Sequence, residues 1–308
     1  MSGTQGTAAD APSGEGTGHG KVILFGEHAV VHGHAALAGA IALGVTAVAR
    51  PAAAPRLRIP AWNIDTESAP GHRAFTAMRA VTAELGVPDT LEIEAVATVP
   101  ARAGLGSSAA MTVAIARAAA AAFGRDVTNK QIEAAAMAGE RIFHGTPSGV
   151  DAAVATNGGI GLFRMGAGYL RLHASPFRLA VGLSGVPRDT SSRVADVARM
   201  RAADPVRVGP MLQKLGELAH EGAVALQRGD LLALGALMDP AHETLCTLGL
   251  STPALDQLCM IARHAGARGA KLTGAGGGGA VIALGAEVAV ARAWRNAGFQ
   301  AIVVEVGV

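Results

Sequence analysis

Aromatic side chains are scarce in this chain of 308 residues, which contains two tryptophans, one tyrosine and seven phenylalanines. A surface that stacks nucleic-acid bases needs several exposed rings, and this composition does not supply them. Charge of one sign is also lacking, because 26 basic and 24 acidic residues leave a formal net charge of +2. We therefore expect no nucleic-acid partner, and any site for an anion must be local.

Cysteine is nearly absent. The two cysteines, Cys246 and Cys259, have a spacing that fits neither a disulfide framework nor a structural zinc site. Free cysteine is among the residue types most often buried. We expect both thiols to be reduced and to lie in the core.

One segment without charged residues, Ala29–Ala49, reaches the length of about 20 residues that a membrane-spanning helix needs. Its glycines and histidines instead predict short buried strands and turns. The first eighteen residues are rich in Gly, Ser, Thr and Ala, and they have neither the basic nor the apolar region of a signal peptide. They predict a disordered tail over residues 1–18, and we expect a cytoplasmic protein with no membrane partner.

Half of the residues are hydrophobic, so the chain can bury a sizeable core. Strands precede a mixed helical region, which predicts an α+β protein of two layered domains that meet at a cleft. We place an N-terminal domain at 19–170 and a C-terminal domain at 171–308. The predicted strands are Val22–Phe25, Leu91–Val99, glycine-broken pieces of Val154–Phe163, Phe177–Ser184, Ala280–Leu284 and Ala301–Val306. The predicted helices cover about 108–123, about 128–143, much of 191–264 and about 288–296. Thr128 and Gln131 predict a capping box at the start of the second of these helices.

The most informative motif lies at residues 100–111, where two glycines and two serines precede an uninterrupted helix-forming run. Glycines allow backbone N–H groups to approach an anion, and the start of a helix adds unpaired donors and a positive dipole end. The spacing from Gly104 to Ala109 also satisfies the dinucleotide fingerprint, but Asp126 follows a helical run where that fold needs a strand. The Walker pattern fails because its lysine is missing. A phosphate cradle and a simple packing turn both remain open from this motif alone.

Five segments together resemble the GHMP kinase superfamily, whose members phosphorylate small metabolites with ATP. They are most similar to the members that act on mevalonate. The resemblance implies an N-terminal domain like ribosomal protein S5 domain 2, a ferredoxin-like C-terminal domain and an active site between them. The segments are Gly20–Gly33, Pro100–Ala110, Gly139–Asp151, Val186–Thr190 and Lys271–Gly279.

The resemblance implies a role for each candidate site residue. Asp151 would be the general base and Lys21 would stabilise the developing alkoxide. Ser108 and Glu140 would bind Mg²⁺. The ATP phosphates would be held by the cradle residues Pro100, Arg102, Ala103, Gly104, Leu105, Gly106, Ser107, Ser108 and Ala109. Mevalonate would contact Glu27, His28, Arg188, Thr190, Gly274 and Ala275.

Other functions remain open at this point. Another GHMP kinase, acting on phosphomevalonate or homoserine, is the first alternative. Phosphomevalonate would call for more cationic side chains in the pocket, where few are apparent beyond Lys21, Arg188 and Arg193. A ligand sensor that lost catalysis is the second, although it would not need both a base and a metal ligand. Arg102 stands where relatives often have glycine, so the loop geometry there is expected to differ. A homodimer is the assembly that the resemblance implies.

Overall fold

A computed structural model describes residues 12–66, 72–186 and 190–308. These residues form eleven strands in one mixed sheet, with ten α-helices packed against it. The α+β class predicted from the sequence is confirmed. In chain order the elements are β1 (Gly14–Phe25), β2 (Ala36–Pro51), β3 (Arg56–Ile59), β4 (Ile64–Thr66), α1 (Arg73–Leu85), β5 (Leu91–Ala97), α2 (Ser107–Ala122), α3 (Asn129–His144), α4 (Val150–Asn157), β6 (Ile160–Arg164), β7 (Gly168–Arg171), β8 (Phe177–Leu183), α5 (Thr190–Ala203), α6 (Pro205–Gln227), α7 (Leu231–Ala236), α8 (Met238–Thr247), α9 (Pro253–His264), β9 (Gly269–Thr273), β10 (Ala280–Leu284), α10 (Glu287–Asn296) and β11 (Gln300–Val306).

Strand β2 links the two halves of the sheet. Its start pairs with β6 and its end pairs with β5, while β1 runs antiparallel beside it. Between these regions, Ile41 of β2 pairs with Val306 of β11. Strand β11 pairs in turn with β8, β8 with β10, and β10 with β9. The two halves of the chain therefore share one sheet, and the end of β1 comes to lie beside β9.

The predicted tail over residues 1–18 is wrong at its C-terminal end, because β1 begins at Gly14. Gly14, Gly16 and Gly18 alternate along the strand and face helix α2. A Cβ atom added at these positions would lie 2.2–2.4 Å from carbonyl oxygens of α2, so only glycine permits this close approach. The glycines at these positions, whose composition predicted disorder, instead form the surface of β1 that packs against α2.

Helix α2 is buried along nearly its whole length, as expected for a helix that is apolar on all sides. Helix α3 follows it and begins with the capping box predicted at Thr128 and Gln131. The expected strand in Val154–Phe163 is only partly right, since residues through Asn157 belong to helix α4. A short apolar run does not distinguish a buried strand from a buried helix, and Gly149 in a left-handed conformation starts the helix instead.

Residues Ala29–Ala49 form a short 3-10 helix and most of strand β2, not a membrane helix. Among the described ranges, no helix has both the length and the apolar character needed to cross a bilayer.

Cys259 is buried as expected, whereas Cys246 is only partly buried. The latter difference arises because Cys246 lies beside the exposed Asp256 at the surface end of helix α8.

Candidate active site

The glycine-rich loop between β5 and α2 is fastened to the strand that carries Lys21. The Lys21 backbone N–H donates to the Leu105 carbonyl over 2.8 Å. Gly106 is the N-cap of α2, with φ of 75°, and a Cβ there would lie 2.8 Å from Cγ of Lys21. The first N–H groups of α2 have no acceptor within the helix and face the end of the loop. This arrangement joins an anion-binding helix start to a buried lysine.

Lys21 and Asp151 form an ion pair, with 3.2 Å between Nζ and Oδ1. The lysine is almost fully buried, whereas 30% of the Asp151 side chain is exposed. Asp151 occupies the first turn of helix α4, where the positive end of the helix dipole favours a carboxylate. The pair therefore presents a carboxylate with one accessible side, next to the Lys21 ammonium group.

Glu140 lies on the buried face of helix α3, one turn before His144. Its Oε2 is 3.7 Å from Nε2 of His144, which is in turn 3.4 Å from Oγ of Ser108. Burial raises the pKa of Glu140 to about 8, assisted by the negative charge of Asp151 and opposed by the Ser108 hydrogen bond and by Lys21. A buried carboxyl in this state binds a proton unless a cation replaces it.

The donor set around Glu140 fits a hard divalent cation. Glu140 Oε1 is buried and has no hydrogen-bond partner among the described residues. The Ser108 hydroxyl and the Asp151 carboxylate supply further oxygens nearby. Mg²⁺ prefers such oxygen ligands and usually takes only one or two carboxylates from a protein.

A second ion pair lies at the end of β1. Glu27 Oε1 accepts a hydrogen bond from Nζ of Lys271, on strand β9, and both residues are buried. Lys271 also donates to the Leu272 carbonyl over 2.7 Å and lies 5.9 Å from the centre of the Phe25 ring. Burial lowers the pKa of Lys271, and the Glu27 carboxylate opposes this. The remaining Glu27 oxygen, Oε2, is buried without a hydrogen-bond partner in the described part of the chain.

The second glycine run, 274–279, connects β9 to β10 and is attached to the same end of β1. Thr273 Oγ1 donates to the Ile23 carbonyl and accepts from the Ile23 N–H, at 2.9 and 3.1 Å. His28 Nε2 is 2.9 Å from the Ala275 carbonyl oxygen. His28 has φ of 60°, a strained conformation for this residue type. These contacts bring Glu27, His28, Gly274 and Ala275 to one place.

Thr190 is the first residue of helix α5. Its neighbour Ser191 donates to the His144 carbonyl over 3.2 Å, so the start of α5 meets the end of α3. Arg188 lies outside the described residues. In the same loop Pro100 is half-buried and Arg102 is exposed. Arg102 has a φ of 57°, which a glycine would adopt more readily.

Three residues of this region were not predicted as site residues: His144, Lys271 and Thr273. His144 contacts Ser108 and Glu140. Its spacing of four residues from Glu140 on a helix was the available signal. Lys271 and Thr273 lie 244 and 250 positions from their partners, and no local pattern indicates contacts across such separations.

Both halves of the chain match models of one protein family. The family model of the GHMP kinase N-terminal domain matches residues 72–159, and that of the GHMP kinase C-terminal domain matches 223–300. The chain belongs to the GHMP kinase family and has its two-domain fold.

Within the family, several similar proteins are named mevalonate kinase. The mevalonate kinase of Aeropyrum pernix is 35% identical over 292 residues, which is 89% of each chain. That of Methanothermobacter thermautotrophicus is 33% identical over 264 residues, covering 85% of this chain and 87% of the relative. The crystal structure of L. major mevalonate kinase in complex with R-mevalonate superposes with a TM-score of 0.84 at 29% identity, covering 97% of this chain and 98% of the other. A Lactococcus lactis galactokinase, at 18% identity and a TM-score of 0.76, shares the fold alone.

Proposed function

We propose that this chain transfers the γ-phosphate of ATP to the 5-hydroxyl of mevalonate, forming 5-phosphomevalonate and ADP. The observation that carries the proposal is the Lys21–Asp151 pair, which is 3.2 Å long and lies directly beneath the glycine-rich loop. The relatives named mevalonate kinase, at 32–35% identity over most of the chain, support the choice of substrate.

The glycine-rich loop from Pro100 to Ala109 would hold the triphosphate. Phosphoryl transfer depends mainly on positioned phosphates and on charge stabilisation. The start of helix α2 supplies backbone donors, and Arg102 adds a cation at the outer side of the loop. Helix α2 is buried and rigid, so it keeps these donors in place.

Ser108 and Glu140 would hold Mg²⁺. When bound, this ion would neutralise negative charge that develops on the phosphates during transfer. His144 contacts both ligands and would keep their side chains oriented. Asp151, close to Glu140, adds negative charge that favours a cation between them.

Asp151 would accept the proton of the mevalonate hydroxyl as its oxygen bonds to the γ-phosphorus and the bond to the β-phosphate oxygen breaks. Lys21 pairs with the Asp151 carboxylate and would stabilise the alkoxide that begins to form. The partial exposure of Asp151 leaves room for a hydroxyl on its open side. Lys21 is part of strand β1, its backbone N–H bonds to Leu105, and Gly106 lies against its side chain.

The region around Glu27 would bind the rest of mevalonate. Glu27 Oε2 is available to accept from a substrate hydroxyl, while His28, Gly274 and Ala275 would line the same side of the pocket. Thr190 and Arg188 would approach from the start of α5, with Arg188 directed to the substrate carboxylate. We further propose a cytoplasmic homodimer whose domains divide at residues 170 and 171.

The direct test is Mg·ATP-dependent ADP release with mevalonate, run beside phosphomevalonate, homoserine and galactose. Turnover with mevalonate and with none of the others is the expected result. Turnover with a different acceptor would replace the substrate and keep the kinase assignment. ATP binding without ADP release from any acceptor would favour a protein that retained the fold as a sensor.

A further inference from the structure

We propose that His242, Cys246 and Asp256 form a binding site for a divalent transition-metal ion of the Zn²⁺ class. These residues belong to helices α8 and α9 and are not part of the phosphoryl-transfer machinery described above. One ligand atom from each lies within 4.8 Å of the others. The donors are an imidazole nitrogen, a thiol sulfur and a carboxylate oxygen, a mixture that suits Zn²⁺ and Co²⁺ far better than Mg²⁺.

The spacing of the three donor atoms matches a metal site closely. Sγ of Cys246 lies 3.6 Å from Nε2 of His242 and 3.8 Å from Oδ1 of Asp256, and the latter two atoms are 3.6 Å apart. Bond lengths of about 2.3 Å to sulfur and about 2.0–2.1 Å to nitrogen and oxygen place tetrahedral ligands about 3.3–3.6 Å apart. Shifts of a few tenths of an ångström would therefore bring all three donors into coordination.

Local structure presents these donors together. His242 and Cys246 are four residues apart on α8, so they lie on one face of the helix. Asp256 comes from the first turn of α9, and the Ser251 hydroxyl donates to its Oδ1 at 2.5 Å. A hydrogen bond of this kind orients a metal-binding carboxylate from outside the ligand shell.

The cluster is open on one side. His242 is buried, Cys246 is half-buried and 56% of the Asp256 side chain is exposed. An ion can therefore enter from solvent and keep water as a fourth ligand. On binding, the Cys246 S–H proton would leave to the buffer as the sulfur–metal bond forms. The imidazole would bind the ion through Nε2 and carry its proton on Nδ1, so the 3.4 Å contact in which Nδ1 accepts from the Leu272 N–H, at the long limit of a hydrogen bond, would be broken.

The site would join α8 to α9 across the segment that contacts the second glycine run. Leu250, between the two helices, accepts a hydrogen bond from the N–H of Gly277 over 2.8 Å. An ion bound only by the folded protein raises its thermal stability by mass action. We therefore expect Zn²⁺ to raise the melting temperature through this cluster.

Co²⁺ is the probe that distinguishes this cluster from the proposed Mg²⁺ site, because only a thiolate ligand gives an intense sulfur-to-cobalt charge-transfer band in the near ultraviolet. The full chain would be titrated with Co²⁺ in the presence of excess Mg²⁺. One equivalent should produce the band, and excess Zn²⁺ should displace the Co²⁺, because thiolate and imidazole ligands in a tetrahedral arrangement suit Zn²⁺.

Variants locate the site. Cys246→Ser should lose the band, Asp256→Asn should weaken Co²⁺ binding at least tenfold, and Cys259→Ala, which removes the other thiol, should leave the band intact. Asp256→Asn keeps every sulfur and alters only an exposed side chain, so its effect does not depend on the integrity of the core. The absence of a charge-transfer band in the unmodified chain, or its persistence in Cys246→Ser, would overturn the proposal.

Discussion

Two buried lysines make ion pairs with carboxylates in this protein, and the pairs differ in what surrounds them. Lys21 meets Asp151, whose side chain is 30% exposed, beside the glycine-rich loop. Lys271 meets Glu27 with both partners buried, at the junction of β1 and β9. The first pair leaves one side of a carboxylate accessible. In the second pair, Lys271 holds the buried Glu27 carboxylate in position, which is a structural role.

This difference follows from the elements that carry the residues. Asp151 lies on the first turn of a short helix after a glycine-containing turn, and its side chain stays partly exposed. Glu27 follows directly after strand β1, and Lys271 is central in strand β9, within the core. A buried ion pair is costly to desolvate and is weak evidence for stability, so its retention calls for another reason. Here we infer that Lys271 fixes Glu27 for substrate binding.

The largest expected effect comes from removing the base. Asp151→Asn keeps the shape of the side chain but cannot accept the hydroxyl proton, and we expect kcat to fall by about 10²–10⁴-fold, the range typical of general base catalysis. ATP affinity should stay within a few-fold. Steady-state ADP release and calorimetric titration with ATP measure the two quantities. Equal losses of turnover and of ATP binding would assign Asp151 to nucleotide binding instead.

The next effect concerns the buried Lys271–Glu27 pair, and it distinguishes a structural role from a catalytic one. Lys271→Met leaves the Glu27 carboxylate buried without its partner, and we expect a loss of about 3–5 kcal/mol in the free energy of unfolding. Adding Glu27→Gln should restore most of it, because the uncompensated charge is gone. Urea unfolding of both variants measures this. If the double variant is as unstable as Lys271→Met, packing of the lysine stem is the main contribution.

Glu140 gives a pH-dependent prediction. Its pKa is raised to about 8 by burial, so the folded state holds a proton that the unfolded state releases near the ordinary value of 4.5. The resulting stabilisation is complete at low pH and is lost as pH rises through about 8. Glu140→Gln cannot lose that proton. Without metal or nucleotide, its melting temperature relative to the unmodified protein should rise steadily from pH 5 to pH 8.

The same titration predicts how metal binding responds to pH. A cation must displace the Glu140 proton, so apparent Mg²⁺ affinity should increase between pH 6 and pH 8, and Glu140→Gln should abolish this dependence. Nucleotide-dependent thermal shifts at several Mg²⁺ concentrations would measure it. A pH-independent affinity in the unmodified protein would place the metal elsewhere.

A smaller effect is expected in the loop above Lys21. Gly106→Ala adds a Cβ 2.8 Å from Cγ of Lys21 at a residue with φ of 75°. The strain should cost about 1–3 kcal/mol and move the lysine, so kcat should fall with stability. Gly124→Ala is the matched control, because it also has a positive φ but has nothing within 4 Å of the added atom. Equal effects on kcat in both variants would argue against a special role for the loop glycine.

Much of the architecture could be predicted because its signals are local. Thr128 and Gln131 form the expected capping box, and Ala280–Leu284 is a strand with the predicted bounds. The start of β1 was missed because its alternating glycines are explained only by helix α2, about 100 residues further along the chain. Helix α4 was missed because its apolar run is too short for periodicity to decide.

The site residues also differ in whether a local sequence signal predicted them. Motifs grouped in sequence brought attention to Lys21, Ser108, Glu140 and Asp151, which the fold places around one point. The pairing of Lys271 with Glu27 depends on the meeting of two distant strands and has no local signature. Sequence patterns thus identified the residues proposed for chemistry, whereas the residues that support them emerged only from tertiary contacts.

The most direct test of this division is a single-turnover measurement of phosphoryl transfer from radiolabelled ATP to mevalonate, with both at saturation, in the unmodified chain, Asp151→Asn and Lys271→Met. Asp151→Asn should slow the transfer step itself. Lys271→Met, assayed where it is folded, should need more mevalonate to saturate but then transfer at close to the unmodified rate. Equal slowing of the saturated step by both substitutions would contradict the separation of chemistry from support.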